Sequence, residues 1–155
     1  MIFATQPRKR NKHIMNIIKL KLDDTRRANL AVLADFLAHN VEEDKFNMKF
    51  YFRGGTSEVV TNLRKYHECG TTACAAGYGP LAGIKPLPNE TWHVYVSRVF
   101  TDQDSIIFNW CFAISWADVD NTPKGAAKRI ELFLRNEGVP DNYYEQCNGE
   151  AELTY

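Results

Sequence analysis

His67, Cys69 and Cys74 stand with Gly70, Thr71 and Thr72 in one short stretch, His67-Glu68-Cys69-Gly70-Thr71-Thr72-Ala73-Cys74-Ala75-Ala76-Gly77-Tyr78. Four chemistries compete for it. As a metal site, His67, Cys69 and Cys74 supply three ligands, and Cys111, Cys147 or His93 could close a tetrahedron, although the spacing departs from the Cys-x-x-Cys knuckle. As a nucleophile, Cys69 at a helix start gains thiolate character from the helix dipole, with His67, His93 or His39 as base. That reading makes the chain a cysteine hydrolase with Cys69 and His93 as catalytic residues. As a nucleotide or phosphate site, Gly70, Thr71 and Thr72 offer backbone N–H groups and hydroxyls at a helix N-terminus, and Arg64 and Lys65 add positive charge. The pattern is neither a Walker motif nor a dinucleotide fingerprint. The fourth reading is structural: small residues let a helix pack closely, Thr71 or Thr72 caps it, and the two thiols act as compact apolar groups. Cys111, set on one helical face with Ile107 and Ile114, behaves in the same way.

The elements that must position these residues are mostly helical. Asp23 and Asp24 supply an N-cap and first-turn charge, and Leu30, Leu33, Ala34 and Leu37 recur at spacings of three and four, which predicts a helix over about 24 to 40. Phe46, Met48, Phe50 and Phe52 alternate toward Gly54-Gly55, the pattern of a strand and turn. Residues 91 to 100 have strand-forming composition, yet Trp92, Val96 and Val99 or Phe100 also fit a helix, here read with Asn89 as N-cap. From Asp104, the set Ile106, Ile107, Trp110, Cys111 and Ile114 predicts a buried helix. The last helix opens with Thr122 as N-cap and Pro123 at its first position. It carries Ala126, Ala127, Ile130, Phe133 and Leu134 on one face, and Gly138 with Pro140 is its expected stop. The expected fold is a compact, mostly α single domain with a minor β element near residues 46 to 62.

Charge is arranged along the chain. Lys+Arg and Asp+Glu number 19 each, so the net charge is zero. Residues 1 to 21 nevertheless hold six cations and no acid, whereas residues 137 to 155 hold five acids and no Lys or Arg. The expected organisation is a basic arm over 1 to 14, a globular domain over 15 to 140 and an acidic solvating tail over 141 to 155, with Met15 an alternative start. Removing either end is expected to leave the fold intact. The arm can touch phosphates only in a salt-sensitive, sequence-independent way. No stretch is apolar enough to span a membrane and no secretory signal opens the chain, which points to a cytoplasmic protein with reduced cysteines.

Four blocks together resemble a known group. Phe46-Asn47-Met48, Cys69 through Tyr78, Phe108-Asn109-Trp110-Cys111-Phe112 with Trp116, and Thr122-Pro123 with Ala126-Ala127-Lys128-Arg129-Ile130 match in order. They are similar to small proteins frequent in bacteriophage genomes that share Cys-Gly-Thr-x-Ala-Cys-x-x-Gly-aromatic and a Thr-Pro-x-x-Ala-Ala-x-Arg-Ile helix. The resemblance covers about residues 24 to 139. It implies a phage or prophage accessory protein in the host cytoplasm, with a host or phage protein as partner and interference with host defence or takeover as its role. It brings no catalytic residue and no cofactor with it. A nucleotide-binding protein and a cysteine hydrolase are the alternatives.

Overall fold

The computed structural model describes residues 15–49 and 73–155. Helix α1 spans Asp24–Asn40. Its start is fixed by Asp23, whose carboxylate accepts from the Arg26 N–H at 3.1 Å, and Leu30, Leu33, Ala34 and Leu37 form its buried stripe. From the same turn, Arg26 and Asn29 donate to the carbonyls of Ser97 and Val99, both at 2.9 Å. These bonds fasten α1 to the C-terminal end of α2, Trp92–Val99, where the last carbonyls of a helix lack internal donors.

The segment read as strand or helix is thus a helix. Its N-cap is Thr91, which accepts from the Val94 N–H at 3.4 Å, and not Asn89, which sits before it in a left-handed turn at φ 61°. The β-branched residues are tolerated because Trp92, Tyr95, Val96 and Val99 all turn into the core, and burial outweighs propensity. Ahead of the helix, buried Glu90 accepts from Leu87 N–H at 2.8 Å and from Arg98 Nε and Nη2 at 2.6 and 2.8 Å. The Arg98 guanidinium, helped by that N–H and opposed by burial, holds the Glu90 carboxyl below its ordinary value. A carboxyl depressed in the folded state contributes stability above its unfolded value and loses it as pH falls through the folded one. Glu90→Gln is therefore expected to be less stable than the wild type at neutral pH and to converge on it in acid. Urea midpoints across pH check this, and a pH-independent gap would contradict it.

Helix α3, Ile106–Phe112, is capped by Ser105, which accepts from the Phe108 N–H at 3.1 Å. It ends before Ile114, which lies in a following 3-10 turn, Ile114–Asp118, and is exposed instead of sharing the face of Ile107. Helix α4, Pro123–Asn136, matches the expected start, with Thr122 Oγ1 accepting from the Gly125 N–H at 3.0 Å. It packs along α1 as the main helix pair and also meets α3. Its stop is Glu137, left-handed at φ 50°, so the chain turns one residue earlier than Gly138.

Gly138 has another duty. Strand β1, Ile17–Lys19, pairs antiparallel with β2, Gly138–Pro140, with Ile18 opposite Val139. A Cβ on Gly138 would lie 2.2 Å from the Ile18 carbonyl oxygen, so the pairing requires glycine. Gly138→Ala is expected to cost about 1–3 kcal/mol, because backbone cannot yield as a side chain does. An unchanged urea midpoint would contradict the close approach.

The described sheet joins residues 17–19 to 138–140 and takes no residue from the element expected over 46 to 62. Of the expected strand, Phe46 forms a single parallel bridge with Ala73, and Met48 enters a turn with its N–H on Asn121 Oδ1 at 2.8 Å. Residues 50 to 62 of the expected β element lie outside the described residues, as does the arm over 1 to 14. Overall the fold is mostly α with a minor β element. No helix among the described residues is long and apolar enough to cross a membrane.

The acidic segment departs most from expectation. Helix α5, Tyr143–Cys147, packs on α3 and buries Gln146 and Cys147. Gln146 Nε2 donates to Asn142 Oδ1 at 2.7 Å and to Thr154 Oγ1 at 3.0 Å, and its Oε1 accepts from the Thr154 N–H at 3.1 Å. The acids face water while a few alternate residues are held inside, so residues 141 to 155 belong to the folded body and are not a solvating tail.

Candidate functional site

Arg64, His67, Cys69, Gly70, Thr71 and Thr72 lie outside the described residues. The metal, nucleophile and nucleotide readings that begin from them rest on the sequence. What is described is the attachment of their segment: Asn47 N–H donates to the Ala73 carbonyl at 2.9 Å and Ala73 N–H to the Lys45 carbonyl at 3.3 Å. The two sides of the segment thus meet beside α1, and the Tyr78 hydroxyl donates to the Lys45 carbonyl as well.

From Ala73 onward the motif turns inward. Ala73, Cys74, Ala75, Ala76, Gly77 and Tyr78 are all buried, and they form a 3-10 turn over Ala76–Tyr78 where a longer helix was expected. Burial pushes the Cys74 thiol up to about 11 and the Cys111 thiol up to about 12. Both are protonated at neutral pH, hence poor nucleophiles and poor metal ligands. Iodoacetamide is expected to leave Cys74 and Cys111 unmodified in the folded protein and to modify both in urea. Rapid native labelling of either would contradict their burial.

His93 points the other way. It is exposed on α2 and borders a cleft of about 500 Å³ with Ser97, Asp102, Gln103 and Asp104. It is not brought to Cys74, which is in the core, and Cys111 and Cys147 are buried on other elements. Among the described residues, no three His, Cys, Asp or Glu side chains gather as metal ligands do.

The constellation that sequence reading missed centres on Arg129, which is 0% exposed. Its guanidinium carbon lies 4.1 Å from the centre of the Trp116 ring and 5.3 Å from that of Tyr155. Nη1 donates to the Tyr155 hydroxyl at 2.9 Å, and that hydroxyl donates to Asp120 Oδ2, also at 2.9 Å. Asp120 is held in turn by Thr122, whose hydroxyl donates to Oδ1 at 2.6 Å. Among the described residues, Nε and Nη2 of Arg129 have no hydrogen-bond partner.

The chain matches no family model, no curated protein and no solved structure.

Around this centre the rings are perpendicular. Trp110 and Trp116 meet edge to face at 5.5 Å, and Tyr155 stands 5.8 Å from each at near right angles. Trp110 Nε1 donates to the Arg129 carbonyl and Trp116 Nε1 to the Trp110 carbonyl, both at 2.8 Å. Burial lowers the Arg129 value, and burial pushes Tyr155 up to about 12, so the phenol keeps its proton and donates to Asp120 throughout the neutral range. The box binds α3, α4 and the last residue of the chain together and turns its cation inward. One signal for it was present in the sequence: Arg129 sits three residues after Ala126 and four before Phe133, on the apolar face of an amphipathic helix.

Proposed function

We propose that this chain is a bacteriophage-type accessory protein that acts in the host cytoplasm by binding a host or phage protein, as a factor directed against a host defence or takeover target would. One observation carries the reading. The described residues of the motifs that resemble those of phage proteins are used mainly on the inside: Cys74, Tyr78, Trp110, Cys111, Trp116 and Arg129 are all buried. A buried motif specifies a scaffold and leaves specificity to the exterior. Its described thiols are protonated and its arginine is enclosed, so the reactive residue types in it support structure.

Affinity capture from host lysate followed by mass spectrometry tests the reading. A partner retained in stoichiometric amount over a tag-only control is the expected result. No enrichment, combined with a melting temperature raised by a nucleotide, would replace it with nucleotide binding at Arg64, Gly70, Thr71 and Thr72.

A further inference from the structure

Among the described residues, strand β1 is paired on one side and open on the other. Leu20 N–H donates to the Glu137 carbonyl at 3.0 Å, and Asp141 N–H to the Asn16 carbonyl at 2.8 Å, on either side of the Ile18–Val139 pair. In an antiparallel ladder, alternate residues direct their backbone groups to the partner strand. Asn16, Ile18 and Leu20 therefore face β2, and Ile17 and Lys19 direct N–H and C=O away from it. Among the described residues, no strand pairs with that second side.

The side chains alternate across the other direction. Ile18, Leu20 and Leu22 pack on the core, which places Ile17, Lys19 and Lys21 on the opposite face, with both lysines exposed. A groove of about 420 Å³ runs beside the strand, lined by residues 19 to 22 with Asp24, Arg27 and Glu137. Its two carboxylates are already engaged, since Arg27 reaches Asp24 at 3.9 Å and Glu137 at 3.6 Å. Lys19 donates to the Asn136 carbonyl at 2.8 Å, a neutral partner, and its charge has no ion pair among the described residues. Lys21 forms no ion pair among the described residues.

We infer that the open edge of β1 is a docking site for an extended acidic segment of a partner protein. The segment adds as a third strand, with carboxylates opposite Lys19 and Lys21 and apolar side chains toward Leu20 and Leu22. This inference rests on the reading that the chain works by binding a protein. Charge selects the occupant. A second copy would set the lysines against like charges, which is how edge lysines deter self-pairing. Residues 1 to 14 of the same chain carry Arg8, Lys9, Arg10 and Lys12 with no acid. An acidic strand satisfies the open backbone groups and both ammonium groups at once.

The probe is a fluorescent peptide of alternating valine and glutamate, titrated with the full chain and followed by anisotropy. Saturable binding is expected, weakened about tenfold by Lys19→Glu with Lys21→Glu. Methylating alternate peptide nitrogens, which keeps the charge and removes strand donors, is expected to abolish it. Lys21→Glu alone, at a side chain with no hydrogen bond or ion pair among the described residues, gives the same readout if the double variant fails to fold. Equal affinity for the methylated and unmethylated peptides, or no binding of the acidic peptide, overturns the inference. A lysate partner indifferent to Lys21→Glu removes β1 as its docking edge and leaves the binding reading standing.

Discussion

Arg129→Ala is expected to lower the unfolding free energy by about 3–5 kcal/mol, read as a fall in the urea midpoint. Three losses combine. The side chain is 0% exposed, so alanine leaves a cavity between α3 and α4. Tyr155 loses the donor at 2.9 Å, and Asp120 loses the cation 3.8 Å away. Trp116 and Tyr155 lose the charge that lay over their faces. Arg129→Met separates volume from charge. Because Nε and Nη2 have no hydrogen-bond acceptor among the described residues, the wild-type guanidinium is buried at a cost that methionine does not carry. The Met variant is expected to fall short of the wild type by only about 1 kcal/mol, since filling a buried site with apolar volume recovers most of what truncation loses. A Met variant as damaged as the Ala variant would show that charge, not volume, holds the box together.

Tyr155→Ala is expected to cost about 2–4 kcal/mol, with a change in tryptophan emission as Trp110 and Trp116 lose a perpendicular neighbour. The ring stands 5.8 Å from each indole, and its hydroxyl joins Arg129 to Asp120. Tyr155→Phe keeps the ring and removes that link, so its expected cost is about 1 kcal/mol. Removing residues 149 to 155 also takes away Thr154, which satisfies the buried Gln146 amide, and is expected to destabilise more than Tyr155→Ala. Unchanged stability after that truncation would return the segment to the role of a solvating tail.

The contrast between these two residues explains what could be read from the sequence. Helices α1 and α4 were legible because local chemistry is sufficient for them: an acceptor side chain at the N-cap, proline at the first position, and apolar residues at spacings of three and four. Those local signals do not mark the sheet, whose strands β1 and β2 are three residues each and come from near opposite ends of the folded chain. No short-range pattern announces such a pairing. Thr91 displaced Asn89 as cap because the left-handed turn at Asn89 is a property of the preceding loop and not of the helix. The acidic segment misled because charge dominates its composition, while its attachment to the body rests on scattered residues such as Asp141, Tyr143, Cys147 and Tyr155. Arg129 was visible as a cation on an apolar face, but its partners lie on two other segments, and only folding brings them together.

The candidate site divides in the same way. Cys74 and Cys111 are small thiols buried among apolar neighbours, as in the structural reading, and His93 faces solvent, while Cys69, the nucleophile it was paired with, lies outside the described residues. The exposed edge at Lys19 and Lys21 could not be read locally, because its openness depends on which side β2 occupies.

Partner capture by a Cys74→Ala, Cys111→Ala double variant tests most directly whether these thiols are scaffold and the work is done by binding. The expected result is a folded protein that retains the same partner in the same amount as the wild type. Loss of the partner from a variant that circular dichroism shows to be folded at the assay temperature would contradict that account and return the thiols to the centre of the function.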